Sequence, residues 1–232
     1  MQATYQSFHA GDTESFPEVV NGLLALVMSQ FVGRKFFAWL ILPAVSVAAD
    51  KSSPYLYEDT RRLVALVEDA ARLMEQKGED AFREFGRRDS RWFNDPYYLF
   101  VYEMDGTCAF HPVQADLVGK KLLDLRDMNG KPAVQFVTDV GRQPARDASG
   151  WVFYLWPDKK QLIPRWKSAY VRKAVVLGGK TYAVGCGVYD IKIERRFIEE
   201  RVRLACEELQ VKGREAAFKE FRDPASRFVF LD

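Results

Sequence analysis

The hydrophobic periodicity changes near residue 90, and this change constrains the fold more than any other feature of the sequence. Before residue 90 the apolar residues recur every three or four positions, which predicts a long helix that begins at Ser53-Pro54. After it the apolar residues form short extended runs, and the pairs Asp105-Gly106 and Gly178-Gly179 indicate tight hairpins between them. Helices combined with hairpin-connected strands predict an α+β fold with an antiparallel sheet.

The predicted elements follow from this pattern and from the turn residues between the runs. The helices are predicted over residues 53–77, 79–85, 131–140 and 191–211, and the strands over residues 97–104, 107–111, 150–156, 167–177 and 180–189. The loop over residues 115–125 is predicted to contain short helical turns, and Asp127 to Gly130 is predicted to form a turn with a helix cap rather than a calcium loop.

The first 49 residues resemble an export signal in an unusual position. Residues 1–27 contain no Lys or Arg, whereas Arg34-Lys35 precedes the apolar run from Phe36 to Val47, and Ala48-Ala49 follows it. This order is typical of a cleaved signal peptide, which predicts translation from Met28, a signal over residues 28–49 and an upstream artefact or disordered leader over residues 1–27. The predicted location is periplasmic or secreted, and the alternative is an uncleaved anchor in the plasma membrane.

Charge and histidine content exclude several classes of function. The 34 basic and 32 acidic residues nearly cancel and form no basic run, so a nucleic-acid partner is not expected. His9 lies in the leader, which leaves His111 as the only histidine of the mature chain. No Ser-His-Asp or Cys-His constellation is therefore expected, and no metal-ligand spacing is present. Asp190 breaks the dinucleotide fingerprint after Gly185-Cys-Gly187, which instead predicts close approach of a helix or ligand to this strand. We predict no catalytic residue, no metal and no cofactor.

Three cysteines exclude a disulfide framework but leave one bridge open. Cys108 and Cys186 both fall on predicted strands, so either a single bridge or two buried thiols is consistent with the sequence.

The stretch from Gly150 to Tyr170 is the candidate ligand site. Rings that are flanked by a cation and by hydroxyl groups can form a pocket for a small molecule, and a carboxylate ligand needs such donors. Because side chains alternate along a strand, Tyr154 and Trp156 should share one face while Trp151 points to the other. The candidate ligand-binding residues are Tyr154, Trp156, Tyr170, Lys167, His111 and Trp151. For every ring the alternative is ordinary core packing. For Lys167 it is a solvated charge, and for His111 it is a satisfied histidine at the end of a strand.

The C-terminal region repeats an earlier segment. Residues 77–85 reappear as residues 212–221 with one inserted residue, and Ser90-Arg91-Trp92 corresponds to Ser226-Arg227-Phe228. A second copy therefore begins here and includes little more than its first strand. Either it is part of a truncated tandem protein, or its residues pack back on the first copy.

The ordered set of motifs from Leu63 to Tyr189 resembles the Cache domain, of the single-Cache type 2 family. The motifs are Gly78…Ala81-Phe82…Phe85, Trp92, Tyr98–Tyr102 with Asp105-Gly106, His111-Pro112, Leu117–Lys120, Asp127…Lys131, Gly150–Pro157, Lys167–Val171 and Gly185–Tyr189. The resemblance implies a PAS-like sheet of five to six antiparallel strands with a long N-terminal helix and a C-terminal helix. It assigns residues 50–190 to the ligand-binding domain and residues 191–232 to a helix and an incomplete second repeat.

The resemblance also implies a function in sensing. Cache domains are extracytoplasmic sensors of small molecules, often organic acids, in chemoreceptors and histidine kinases. The expected partners are a small carboxylate, a membrane receptor or kinase, and a second copy that associates through the long N-terminal helix. The alternatives are an interaction module without a ligand, whose rings are all core, and a fragment of a tandem Cache receptor.

Overall fold

The structure is a computed structural model that describes residues 53–158 and 162–230. The predicted leader and signal segment lie outside the described residues. Within the described part of the chain, no helix combines the length and the hydropathy that a membrane crossing needs.

Six strands and five helices make up the described fold. The helices are α1 (Glu58–Lys77), α2 (Phe82–Phe85, preceded by a 3-10 turn over Gly78–Ala81), α3 (Ala133–Arg142), α4 (Arg195–Lys212) and α5 (Arg214–Phe221). The strands are β1 (Phe93–Asn94), β2 (Tyr97–Glu103), β3 (Cys108–Phe110), β4 (Ser149–Trp156), β5 (Arg165–Val175) and β6 (Thr181–Tyr189).

The strands form one antiparallel sheet in the order β1-β2-β6-β5-β4, and β3 also pairs with β2. The long central pairing of β5 with β6 turns at Gly178-Gly179, where both residues have positive φ, as this hairpin requires. The predicted α+β fold, with a PAS-like antiparallel sheet, a long N-terminal helix and a C-terminal helix, is confirmed. The strand boundaries differ from the predicted ones by no more than two residues at each end.

Two helices cover the two faces of the sheet. Helix α1 packs on β5 and β6 from one side, whereas α3 packs on β4, β5 and β6 from the other. Each side has its own buried cluster, which we call the α1 core and the α3 core. Cys186 belongs to the α1 core and Cys108 to the α3 core, and both are free thiols. The bridge that the sequence left open is therefore not formed, because the two side chains lie on opposite faces of the sheet.

Helix α1 begins later than predicted. Its first residue is Glu58, four positions after Pro54, and its N-cap residue Tyr57 makes no side-chain cap. The carboxylate of Glu194 instead accepts the backbone N–H groups of Leu56 and Tyr57, at 2.8 and 2.9 Å. Glu194 is buried and immediately precedes α4, so a distant residue supplies the anion that a helix N-terminus favours. Local sequence carries no signal for such a cap.

Several side-chain contacts of the first copy recur at the equivalent positions of the C-terminal repeat. Lys77 binds Glu84 at 2.6 Å, and the equivalent pair Lys212 and Glu220 has the same separation. Ser90 Oγ accepts the N–H of Trp92, as Ser226 Oγ accepts that of Phe228. Edge-to-face ring pairs recur as well, Phe85 with Trp92 and Phe221 with Phe228. Of the two alternatives for this region, packing back on the first copy is observed for Phe230, whose ring stacks on Phe153 at 4.6 Å.

The two copies differ in what covers their long helix. Leu63, Val67 and Ala70 of α1 are fully buried under the sheet. The residues at the same repeat positions of α4 are Ile198, Val202 and Ala205, and the first two are 48% and 58% exposed. Helix α4 thus carries the sheet-binding pattern of α1 on a face that no described residue buries.

Candidate functional site

Strand β4 divides its aromatic side chains between the two faces of the sheet. Tyr154 and Trp156 lie in the α3 core, and Trp151 lies in the α1 core, as the alternation of side chains along a strand requires. Trp156 packs edge-to-face on Tyr154, with ring centres 5.6 Å apart. The α3 side of the sheet is therefore where the predicted aromatic pair must be assessed as a ligand site.

Four of the six candidate ligand residues line one buried cavity on this side. Its volume is about 10 Å³, enough for roughly one water molecule. Polar groups of the lining come from β5, β4 and the loop after β3, whereas α3 supplies an apolar wall and β2 supplies two aromatic rings. The lining residues are Lys167, Tyr154, Trp156, His111, Phe100, Tyr102, Ala133, Val134 and Val137.

Lys167 is a buried cation, only 1% exposed. Its ammonium donates to Tyr98 Oη at 2.5 Å and lies 4.2 Å from the centre of the Tyr98 ring. No carboxylate of the described residues forms an ion pair with it. Burial lowers the pKa of Lys167 to about 8, against the opposing influence of Cys186 and Asp158. The site therefore holds a buried positive charge with no carboxylate of the described residues at ion-pair distance, and its desolvation is offset only in part.

Glycine makes room for this lysine. A Cβ atom at Gly187 would lie 2.8 Å from Lys167 Cε, and one at Gly185 would lie 2.4 Å from the ring of Phe100. The sequence predicted that these glycines admit a helix or a ligand. The groups that approach the strand are the side chains of Lys167 and Phe100, so the approach of a helix is not observed, and the approach of a ligand stays a prediction. Any larger residue at position 187 would push the ammonium out of its place.

Tyr154 supplies a neutral hydroxyl group to the cavity that Lys167 also lines. Burial raises the pKa of Tyr154 well above its ordinary value, and neighbouring tyrosines add to the rise. The side chain is 5% exposed and remains a hydrogen-bond donor at all physiological pH values. The cavity therefore combines a cation and a phenol within apolar walls, which is the chemistry that recognises a carboxylate.

His111 acts through the loop that holds Trp156. Its Nδ1 accepts the N–H of Gln114 at 3.0 Å, so the neutral ring carries its proton on Nε2. Gln114 Oε1 in turn accepts the indole N–H of Trp156 at 2.9 Å. Since His111 is 3% exposed and also lies 5.4 Å from the Tyr98 ring, it belongs to the site rather than to the surface.

A cleft lies directly outside the cavity. Its volume is about 290 Å³, close to the lower end of the range for small-molecule pockets, roughly 300 Å³. Trp156 and Ala133 line both spaces and so form the wall between them. The cleft is mostly apolar, with Leu117, Leu155 and Met128 among its lining residues and Arg126 at its side.

The other two candidate residues face the α1 core. Tyr170 donates its hydroxyl to Glu68 at 2.8 Å, and burial raises its pKa. Trp151 donates its indole N–H to Tyr55 Oη at 3.0 Å. Both line a separate groove of about 400 Å³ next to α4. Tyr170 and Lys167 are three apart on one strand, so alternation places them on opposite faces, and the structure does not bring all six residues together.

The walls of the cavity were not predicted from the sequence. Phe100 and Tyr102 follow the period of two along β2, and Ala133, Val134 and Val137 follow the period of a helix face in α3. These signals are readable as buried faces, but only the packing of α3 on the sheet shows that the faces meet at Lys167. Among the described residues, no group of three or more His, Cys, Asp or Glu side chains is placed to hold a metal ion.

Comparisons with known proteins give one family match and several similar solved structures. Residues 88–194 match the family described as Cache domain. Among solved structures, the chain is similar to a periplasmic sensor domain of a chemotaxis protein, with 26% identity and a TM-score of 0.47 over 58% of this chain and 96% of that chain.

Two further structures are similar at 18% identity. One is a methyl-accepting chemotaxis protein from Vibrio parahaemolyticus RIMD 2210633, with a TM-score of 0.45 over 56% of this chain and 88% of that one. The other is a Cache chemosensory domain described for carboxylic acid recognition, with a TM-score of 0.46 over 57% of this chain and 94% of that one. The family match covers just under half of the chain, and over residues 88–194 this protein is similar to the Cache domain family.

Proposed function

We propose that this protein is an exported sensor that binds a small organic acid in the cavity around Lys167 and Tyr154. One observation carries the proposal, namely a buried ammonium group with no ion-pair partner among the described residues. A buried charge without a counter-charge is costly, so proteins keep one where it has a function. A ligand carboxylate would supply the missing charge and would accept from Tyr154 as well.

The size of the site limits the ligand. The cavity of about 10 Å³ is too small for a carboxylate, so binding requires the wall of Trp156 and Ala133 to move outward. Outward movement joins the cavity to the apolar cleft. The expected ligand therefore has one carboxylate for Lys167 and a short apolar body for the space next to Trp156. Dicarboxylates are disfavoured because their second charge would be buried against apolar walls.

Short monocarboxylates should stabilise the protein, and matched neutral molecules should not. We expect acetate, propionate and butyrate, at concentrations about 100 times their Kd, to add about 3 kcal/mol to the free energy of unfolding. Differential scanning fluorimetry on the chain without its first 49 residues measures the effect, and calorimetry supplies the affinities. The primary amides of the same acids are the controls, since they keep the shape and lack the charge. Equal shifts with acids and amides, or no shift with any acid, would contradict the proposal.

We propose a sensing role for the bound state on the ground of the family alone. Sensor modules of this class pass a change of conformation to a receptor or kinase, and a ligand can shift such an equilibrium only by its differential affinity for the two states. The predicted export over residues 28–49 and the predicted anchor remain proposals. Detection of the protein in the periplasmic fraction, with an N-terminus near Asp50, tests the cleaved signal, and a membrane-bound chain that keeps residues 28–49 contradicts it.

A second candidate function is that of a tandem sensor, in which residues 195–230 begin another Cache module. The observation that favours it is the repeat of contacts together with the exposed sheet-binding face of α4. Cys206 on this face is exposed and corresponds to Ala71, which is fully buried in α1.

Thiol reactivity of Cys206 tests the tandem candidate. If a second sheet covers α4, Cys206 should react about 100 times more slowly in the protein purified from its natural source than in a recombinant chain that ends at Asp232. Denatured samples of both proteins provide the reference rate. Equal rates in the two folded proteins would rule the tandem arrangement out.

A further inference from the structure

Lys131 is a second buried lysine, and it holds the C-terminal segment. The side chain is fully buried, and its ammonium donates to the carbonyl oxygens of Ser226 and Val229 at 2.5 and 2.6 Å. It also lies 5.6 Å from the centre of the Trp166 ring. A cation that is buried against two carbonyls of a remote segment makes the position of that segment depend on the position of Lys131.

Other contacts fix the same segment, residues 226–230, to the sheet and to α3. Arg201 donates to the carbonyl oxygen of Arg227 at 3.1 Å, and Arg227 pairs with Asp139 of α3 at 3.1 Å. Phe230 stacks on Phe153 of β4. The segment is thus held mostly by residues of α3, of β4 and of the turn that precedes α3.

That turn also reaches the ligand site. Asp127 Oδ1 accepts the N–H of Lys131 at 2.8 Å, and Asp127 Oδ2 accepts the N–H of Leu155 at 2.8 Å. Leu155 directly precedes Trp156, and Lys131 is two residues before Ala133. The turn therefore joins both wall residues, Trp156 and Ala133, to the lysine that holds the C-terminal segment.

We propose that the turn from Asp127 to Lys131 couples the ligand site to residues 226–230. When a ligand moves the wall of Trp156 and Ala133 outward, Lys131 moves with it and releases Ser226 and Val229. The released segment is then available for a signalling partner to read. The coupling is reciprocal, so release of the segment must loosen the wall to the same extent. The inference rests on the proposed function for the nature of the ligand, but the mechanical link can be tested without one.

Hydrogen exchange measured by mass spectrometry tests the link in the absence of ligand. Lys131→Met should raise the exchange rate of the amides of residues 226–230 by about tenfold or more. The matched control is Lys173→Met, which removes another lysine-to-carbonyl bond, to Gln143 at 2.8 Å, outside the turn from Asp127 to Lys131. A chain that ends at Ala225 gives the reciprocal measurement, in which the amides of residues 133–137 should exchange about tenfold faster. Thermal unfolding of each variant shows that it is folded.

Three outcomes decide the matter. Unchanged exchange of residues 226–230 in folded Lys131→Met, or of residues 133–137 in the shortened chain, overturns the coupling. If propionate raises the melting temperature but leaves residues 226–230 protected in the wild type, the coupling is overturned and the proposed binding function stands. If propionate has no effect on the melting temperature while both variants show faster exchange, the coupling stands and the proposed ligand class fails.

Discussion

Lys167→Met should abolish acid binding and, at the same time, stabilise the protein without ligand. Methionine has nearly the length of lysine and fits an apolar cavity without a charge. The pKa of Lys167 falls from 10.5 to about 8 on folding, which corresponds to a penalty of about 3 kcal/mol. Loss of the bond to Tyr98 costs about 1 kcal/mol, so we expect a net gain of about 2 kcal/mol in the free energy of unfolding. Urea denaturation and calorimetry with propionate measure the two effects.

A gain in the free energy of unfolding together with a loss of acid affinity separates a binding residue from a structural one. Lys173→Met, on the same strand, should change neither the stability nor the affinity by a comparable amount. If Lys167→Met instead lowers the stability and leaves acid affinity intact, Lys167 is a structural residue and the proposed site is wrong.

The pH dependence of the wild type follows from the same pKa. Between about pH 8 and 10.5 the unfolded chain keeps the Lys167 proton and the folded protein does not, so the stability that this group contributes rises with pH in that window. Below pH 8 both states are protonated and the penalty is fully present. The affinity for the ligand acid, in contrast to the stability, should fall as the pH passes above about 8, because the ammonium of Lys167 loses its charge. In Lys167→Met both trends should be absent.

Trp151→Ala and Trp156→Ala should have different consequences, although both remove an indole from the same strand. Trp151 is 2% exposed and lies among Tyr55, Tyr170 and Phe197, whose ring centres are 4.5 to 5.9 Å away. Its truncation removes the packing against these three core rings and should cost about 3–5 kcal/mol. Trp156 stands between the cavity and an open cleft that water can enter, so its loss should cost less, about 2 kcal/mol, and should change acid affinity by about tenfold.

This comparison also tests the alternative of an interaction module without a ligand. Trp156→Phe keeps an apolar wall without the hydrogen bond to Gln114 and serves as the control for the bulk of the side chain. If Trp156→Ala unfolds the protein as severely as Trp151→Ala, and if folded variants at either position leave acid affinity unchanged, the rings are core and the ligand-free alternative is correct.

The cap of α1 illustrates a limit of prediction from sequence. Ser53-Pro54 has the local chemistry of a helix start, but Glu194 binds the backbone of Leu56 and Tyr57 and places the first turn later. The two segments are far apart in sequence, so no local rule could find this cap. The apolar pattern of α1, in contrast, was readable because it depends only on the helical period.

In the candidate site, too, some features follow from local sequence and others depend on distant segments. Alternation along β4 was sufficient to predict that Tyr154 and Trp156 share a face and that Trp151 does not. The same rule, applied to β5, separates Tyr170 from Lys167. The place of His111 beside Lys167 could not be read in this way, because it depends on how the loop after β3 folds over the sheet.

The sequence by itself determined the elements, their turns and the faces of the strands, since the periods of helix and strand and the positive φ of turn glycines are local properties of the chain. It also carried the ordered motifs of a Cache domain. Only the tertiary structure decided that Lys167 is buried without a carboxylate among the described residues, that Cys108 and Cys186 lie on opposite faces, and that Lys131 holds residues 226–230. These facts depend on which segments pack together across the sheet. The desolvation of a charged side chain is caused by the residues that surround it, so the type of residue alone does not determine it.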